Sequence, residues 1–150
     1  MNRLYPLLIF SFVLLSGITG HHPAATAEQA VVDAAGRQVV LPDTIKRLIC
    51  SGPGCLRLIT YLQAQDRVVA VDDIETRRSN FDARPYALAN PDFRQLPVFG
   101  AFRGQDDPEK ILGLKNPPQV IFKTYAAMGH DPSELEHKTR IPVVALAYGN

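Results

Sequence analysis

Apolar positions recur with two different periods along this chain, and the switches between them mark its elements. Ala30-Val31-Val32 and Val39-Val40-Leu41 flank Ala34-Ala35-Gly36-Arg37, two short β runs around a glycine-containing reversal, so residues 30–41 predict a hairpin. Residues 45–49 lead into a first core strand that stops at Ser51-Gly52-Pro53-Gly54. Leu56, Ile59 and Leu62 then recur at helical spacing with Leu58 alongside, an apolar face that leaves Arg57 and Gln63 turned away from it. Residues 68–71 form a continuous apolar run ended by Asp72-Asp73, the pattern of a strand covered on both faces.

Between residues 74 and 104 the pattern loosens into a segment rich in Arg, Asp, Asn and Pro, with a short helix at 85–89 and a short strand at 96–100. Order returns where Asp107 precedes Pro108, an N-cap followed by proline at the first helical position, predicting a helix through Lys115 closed by Asn116-Pro117. Residues 119–122 read as a strand, Asp131-Pro132 opens a second such helix through Thr139, and residues 141–146 are the next strand. Alternation of this kind predicts an α/β fold, a Rossmann-like three-layer lobe with a mostly parallel sheet and an amino-terminal β-hairpin, because right-handed crossovers place helices on both sheet faces.

The first 27 residues change the picture of where this lobe resides. Arg3 precedes an apolar run over 7–15, Ser16-Gly17 breaks it, and Ala25-Thr26-Ala27 supplies small residues for a signal peptidase, so residues 1–27 are expected to be a cleaved signal peptide and the mature chain to begin at Glu28. The run is shorter than the ~20 residues of a membrane-spanning helix, and no cysteine follows it to take a lipid, so a periplasmic product is expected. Removing 27 of the 150 residues leaves 123, and because Arg3 is the only charge removed, 15 basic residues face 15 acidic ones. Such a neutral chain has no basic stripe for nucleic acid and suits a monomer of one domain, residues 28–150. His21 and His22 leave with the signal, and the adjacent acids Asp72 and Asp73 lack further spaced ligands, so no metal site is expected.

Cys50 and Cys55 are the only cysteines. In an oxidising compartment they are a disulfide candidate, provided the Ser-Gly-Pro-Gly turn brings their Cα atoms within about 7 Å; two small buried hydrophobes are the other reading. Their spacing is not that of a redox motif.

The order of these pieces resembles the amino-terminal lobe of periplasmic solute-binding proteins that serve ABC importers of iron-siderophore complexes, haem and cobalamin. The similarity lies in the hairpin from Val31 to Pro42 around Asp33-Ala34-Ala35-Gly36-Arg37, the strand ending at Ser51-Gly52, the strand Val68-Val69-Ala70-Val71-Asp72, the segment Leu96-Pro97-Val98-Phe99-Gly100, and Asp107-Pro108-Glu109-Lys110-Ile111-Leu112-Gly113-Leu114-Lys115-Asn116-Pro117 before the strand Gln119-Val120-Ile121-Phe122. It covers essentially all of residues 30–150. The resemblance implies capture of a ferric siderophore or a related metal-macrocycle such as haem or a corrinoid, delivery to an inner-membrane ABC permease, and no chemical change of the ligand. It also implies an interlobe helix and a second lobe that this sequence does not include, as in a truncated form. A small secreted α/β hydrolase and a non-binding interaction fragment are the competing classes; Ser51 lacks a nucleophile-elbow context, which disfavours the first.

In open parallel sheets ligands bind outside the carboxyl ends of the strands, which selects the candidate ligand residues. Ser51 and Gly52 follow the first core strand, either as an anion cradle or as a tight turn that needs glycine. Asp73 follows the second, with Arg78 nearby to make paired contacts with chelate carboxylates. Tyr86, Tyr125 and Tyr148 offer phenols that stack on a planar ligand or, deprotonated, bind Fe(III). Arg103 sits in a glycine-flanked loop.

Overall fold

The computed structural model describes residues 29–77, 83–124 and 131–147. It opens with the expected hairpin, in which β1 (Gln29–Val32) pairs antiparallel with β2 (Gln38–Leu41) and Val31 faces Val39. Every position of β3 (Leu48–Ser51) is buried. That burial follows from its central place in a second sheet with β4 (Val68–Asp72), β5 (Val98–Ala101), β6 (Gln105–Asp106), β7 (Val120–Thr124) and β8 (Val143–Leu146), in the spatial order β6-β5-β4-β3-β7-β8. All of its ladders are parallel except β5 with β6, so the fold is the expected α/β lobe with a mostly parallel sheet.

Strand alternation sorts the core onto two faces. Leu48 and Cys50 pack with Val120 and Val144 under Leu56 and Ile59 of α1 (Cys55–Tyr61), joined by Val39 and Leu41 of the hairpin. Between β4 and β5 lie α2 (Asp73–Thr76) and α3 (Pro85–Ala89), and the latter touches α1. On the other face Ile49, Ile121 and Val143 pack with Ile111 of α4 (Pro108–Leu112) and Leu135 of α5 (Pro132–Thr139). Side chains of this size each contribute about 1.5–3 kcal/mol when fully buried. Both Asp-Pro helix starts form as expected: Asp107 Oδ1 accepts from Lys110 N at 3.1 Å and Asp131 Oδ1 from Ser133 N at 2.8 Å.

Some boundaries differ from the sequence reading. Leu62 is 67% exposed rather than buried, because α1 stops at Tyr61 and Gln63 takes a left-handed φ of 57° that turns the chain away. Likewise α4 ends at Leu112, with Gly113 as its cap, rather than reaching Lys115. The segment read as irregular contains α2, and the glycine-flanked stretch after Ala101 folds back as β6.

The outer edge of β8 does not stay open. Ala34 N donates to Ala145 O at 3.0 Å, Ala145 N donates to the Asp33 carboxylate at 3.1 Å, and Arg37 Nη2 donates to Val143 O at 2.5 Å. Arg37 also pairs with Asp33 at 2.6 Å and with Glu136 of α5 at 3.1 Å. The reversal of the hairpin therefore caps a strand edge that would otherwise offer unpaired backbone groups. Burial pushes the Asp33 carboxyl up, but backbone N–H donation from Arg37 and Ala145 and the Arg37 guanidinium outweigh it and hold the group below the usual carboxylate range.

Candidate functional site

Because β3, β4, β5, β7 and β8 run parallel, the chain leaves the sheet along one edge after Ser51, Asp72, Ala101, Thr124 and Leu146. A hollow of about 380 Å³ opens at this edge, lined by Pro53, Gly54, Arg57, Ile74, Arg84, Tyr86 and Phe102. Its first wall is the turn after β3. Gly52 has a φ of 87°, and a Cβ there would collide with Thr124 Oγ1, so glycine is required twice over. Gly54, with a φ of 76°, caps the start of α1 and faces the hollow.

The second wall is an ion-pair cluster. Glu75, only 3% exposed, accepts from Tyr86 Oη at 2.8 Å and pairs with Arg84 at 2.8 Å. Arg84 also donates to Ile74 O at 3.2 Å, and its guanidinium lies 5.8 Å from the Tyr86 ring centroid. Burial first, then the hydrogen bond to Glu75, raise the Tyr86 phenol well above its ordinary range. Tyr86 therefore presents a neutral phenol and an aromatic face to the hollow. Beneath this wall Asp72 is pushed up to about 7 by burial and by the neighbouring charge of Glu75, with Asp73 adding to it, and its Oδ1 has no hydrogen-bond partner.

The third wall is the β5–β6 turn. Asp73 Oδ1 accepts from Phe102 N at 2.8 Å while Asp73 Oδ2 pairs with Arg77, so this carboxylate, held below its ordinary range against the upward push of burial, positions the turn. Arg103 and Gly104 at its tip have left-handed φ values of 70° and 74°, and Arg103 is exposed.

On the opposite face of the sheet, at the same edge, lies a sealed cluster. Lys123 Nζ donates to Asp106 Oδ2 at 2.5 Å, to Gly104 O at 2.9 Å and to Ser51 Oγ at 3.3 Å, and both charged side chains are 1% exposed. Ser51 shares the sheet face of Ile49, two residues earlier, which turns its hydroxyl inward to this lysine and away from the hollow. With Lys123 ion-paired and covered, the Ser51–Lys123 contact fastens β3, β7 and the β5–β6 turn together and gives no substrate access.

Of the residues selected from sequence, Tyr86 lines the hollow, Asp73 holds its wall, Arg103 stands on the adjoining turn, and Gly52 and Ser51 lie behind the rim. Arg78, Tyr125 and Tyr148 lie outside the described residues, as does the expected signal peptide. Arg84 belongs to the same arginine-bearing loop as Arg78, whereas Arg57 and Phe102 are not singled out by the sequence as ligand residues. The amphipathic pattern does place Arg57 off the apolar face of α1, and that direction is toward the hollow. Cys50 and Cys55 are thiols, both buried, with their Sγ atoms 2.7 Å apart. A larger depression of about 670 Å³ lies beside the end of β5, β6, α4 and Lys138, and its opposite charges pair locally, as in Lys110 with Asp107 at 3.4 Å. Among the described residues no His/Cys/Asp/Glu group is arranged to hold a metal, and no helix is long and apolar enough to cross a membrane.

Comparison with known proteins bears on the fold. No family model matches the chain, and no curated protein matches it. Among solved structures, the molybdate periplasmic binding protein MolA of a Haemophilus influenzae ABC transporter matches with a TM-score of 0.60 and 25% identity, over 78% of this chain and 34% of that one. The periplasmic catecholate-siderophore binding protein VctP from Vibrio cholerae matches at 0.56 and 22%, over 79% and 37%. The heme binding protein HmuT matches at 0.55 and 19%, over 86% and 37%. These neighbours are binding proteins, and this chain has the fold of one part of them, spanning somewhat over a third of their length.

Proposed function

We propose that this chain is the amino-terminal lobe of a periplasmic solute-binding protein of an ABC importer, and that the hollow at its strand ends supplies half of the site for a small anionic metal chelate. The reading rests on one observation: Arg57, Arg84 and the neutral phenol of Tyr86 converge on an open cavity at the carboxyl edge of a parallel sheet. Guanidinium groups suit carboxylate, catecholate or other oxyanion groups, and the aromatic rings of Tyr86 and Phe102 suit a planar or apolar portion of the same ligand. A ferric siderophore meets both demands; haem, whose propionates are anionic arms on a macrocycle, comes next, and corrinoids, whose macrocycle carries amides, follow. The ligand leaves unchanged, handed to a membrane permease, and a second lobe closes over it.

With no tryptophan in the chain, tyrosine fluorescence reports binding directly. Titration with a ferric catecholate, haemin, cyanocobalamin and molybdate is expected to give saturable quenching by the catecholate, weakened at least tenfold in an Arg84→Met, Tyr86→Phe double variant, which corresponds to about 1.4 kcal/mol or more. Tyr125→Ala and Tyr148→Ala are expected to weaken it further. Absence of saturable binding by every member of the panel, checked by native mass spectrometry, would refute the proposal.

A further inference from the structure

Cys50 is the third residue of the wholly buried β3, Cys55 is the first residue of α1, and both are sealed from solvent at 4% and 0% exposure. Their Sγ atoms lie 2.7 Å apart, and Cys55 also reaches Phe122 O at 3.3 Å, so the two thiols face each other across the base of the turn that walls the hollow. We propose that Cys50 and Cys55 close to a disulfide when the chain is exported, clasping β3 to α1 and fixing the Ser51–Gly54 turn beneath the ligand. The inference rests on the export reading of residues 1–27 and concerns the wall of the proposed site.

Placement argues for a structural bridge rather than a reactive pair. Burial first, then the contact with Cys55 and the charge of Asp72, raise the Cys50 thiol well above its ordinary range, so the folded protein holds almost no thiolate there and no oxidant reaches it. Closure therefore precedes burial, while the chain is still unfolded outside the cytoplasm. The co-reactant is an oxidised protein dithiol or glutathione disulfide. One cysteine thiolate attacks the oxidant's disulfide, and a mixed disulfide forms as one oxidant sulfur leaves. The second cysteine thiolate displaces the remaining oxidant sulfur, so the oxidant departs reduced by two electrons, as a protein dithiol or as two glutathione thiols, carrying the two protons the cysteines have lost. The turn so enclosed contains Gly52 and Gly54, both at left-handed φ, and restraining such permissive residues removes unfolded-chain freedom.

The test compares the full chain expressed with its leader and the same chain without residues 1–27, each quenched in N-ethylmaleimide under denaturing conditions. Protein from the periplasm is expected to have lost the leader, to take no maleimide, to weigh less by two hydrogens, and to melt several degrees lower after reduction. A Cys50→Ser, Cys55→Ser variant is expected to show no response to reductant. Leaderless cytoplasmic protein is expected to take two maleimides, and to resist oxidation while folded yet close when refolded in glutathione buffer. Two maleimides on periplasmic protein whose leader is gone would overturn the inference. Should the leader be retained, the refolding arm decides: a bridged product supports the proposal and two free thiols overturn it. Thiol counts are read without ligand, so they stand apart from the titrations above.

Discussion

Two ion-pair clusters sit at the same edge of the sheet, one on each face, and they are built for different work. In the first, Lys123 and Asp106 are each 1% exposed and their bonds run to Ser51 and Gly104, so the pair ties three strands and a turn together. In the second, Glu75 is 3% exposed but its partner Arg84 is 25% exposed and opens, with Tyr86, onto a 380 Å³ hollow. A sealed pair has already given up its water and is out of a ligand's reach, whereas a half-open one keeps donors in reach of a ligand. The difference suits one face to fastening and leaves the other open for the recognition proposed above.

The largest effect that can break this comparison is on the sealed side. Lys123→Met leaves Asp106 buried without its cation, and Asp106 Oδ1 already lacks a partner, so a loss of about 3–5 kcal/mol of folding stability is expected from urea denaturation. A Lys123→Met, Asp106→Leu double variant is expected to recover most of it, because removing both charges removes the uncompensated one. A Lys123→Met variant that stayed within 1 kcal/mol of the parent by the same measurement would show that the pair fastens nothing.

That cluster also shows where sequence reading stops. Lys123 appears in the sequence as a polar residue following Val120-Ile121-Phe122, and its partner Asp106 lies in a stretch whose pairing no periodicity announces. Period fixes which face a residue occupies, so the strand and helix order, the hairpin and both Asp-Pro helix starts were legible, along with the edge on which Asp73, Tyr86 and Arg103 fall. It does not fix what a face meets. Ser51 is selected for following a strand, yet it shares the face of Ile49, which sends its hydroxyl to the sealed side; Arg57 is read as turned from the core, yet the hollow lies in that direction. Leu62 kept the spacing of a buried face but fell one residue beyond the end of α1.

On the half-open side the next effect is a pH dependence. With Asp72 raised to about 7 from an unfolded value near 4, the folded protein binds more protons than the unfolded chain across that interval. The corresponding stability is present in full below the unfolded value and is lost as pH rises toward 7, by no more than about 4 kcal/mol. The lowered Asp33 acts oppositely: its contribution is present above the unfolded value and disappears as pH falls through the folded one, so it stays out of the higher window. Chemical denaturation at intervals from pH 4 to 7 is expected to show falling stability in the parent and a flatter profile in Asp72→Asn. Equal slopes in both proteins would place the strained carboxylate elsewhere.

The smallest change sharpens the comparison most, because it removes a single hydroxyl from the half-open cluster. Tyr86→Phe keeps the ring against the hollow and leaves Glu75 its pairing with Arg84, but deletes the 2.8 Å bond to Glu75. A hydrogen bond to a charged acceptor contributes about 1.5 kcal/mol, and with the guanidinium still in place the expected loss is nearer 1 kcal/mol, read as a small shift in denaturation midpoint. If recognition is the work of this face, the same variant weakens chelate binding by a larger factor than its stability loss conveys, since the phenol is then absent from a preformed site. A Tyr86→Phe protein destabilised as much as Lys123→Met, with chelate affinity intact, would make both clusters fasteners and leave the hollow without a role.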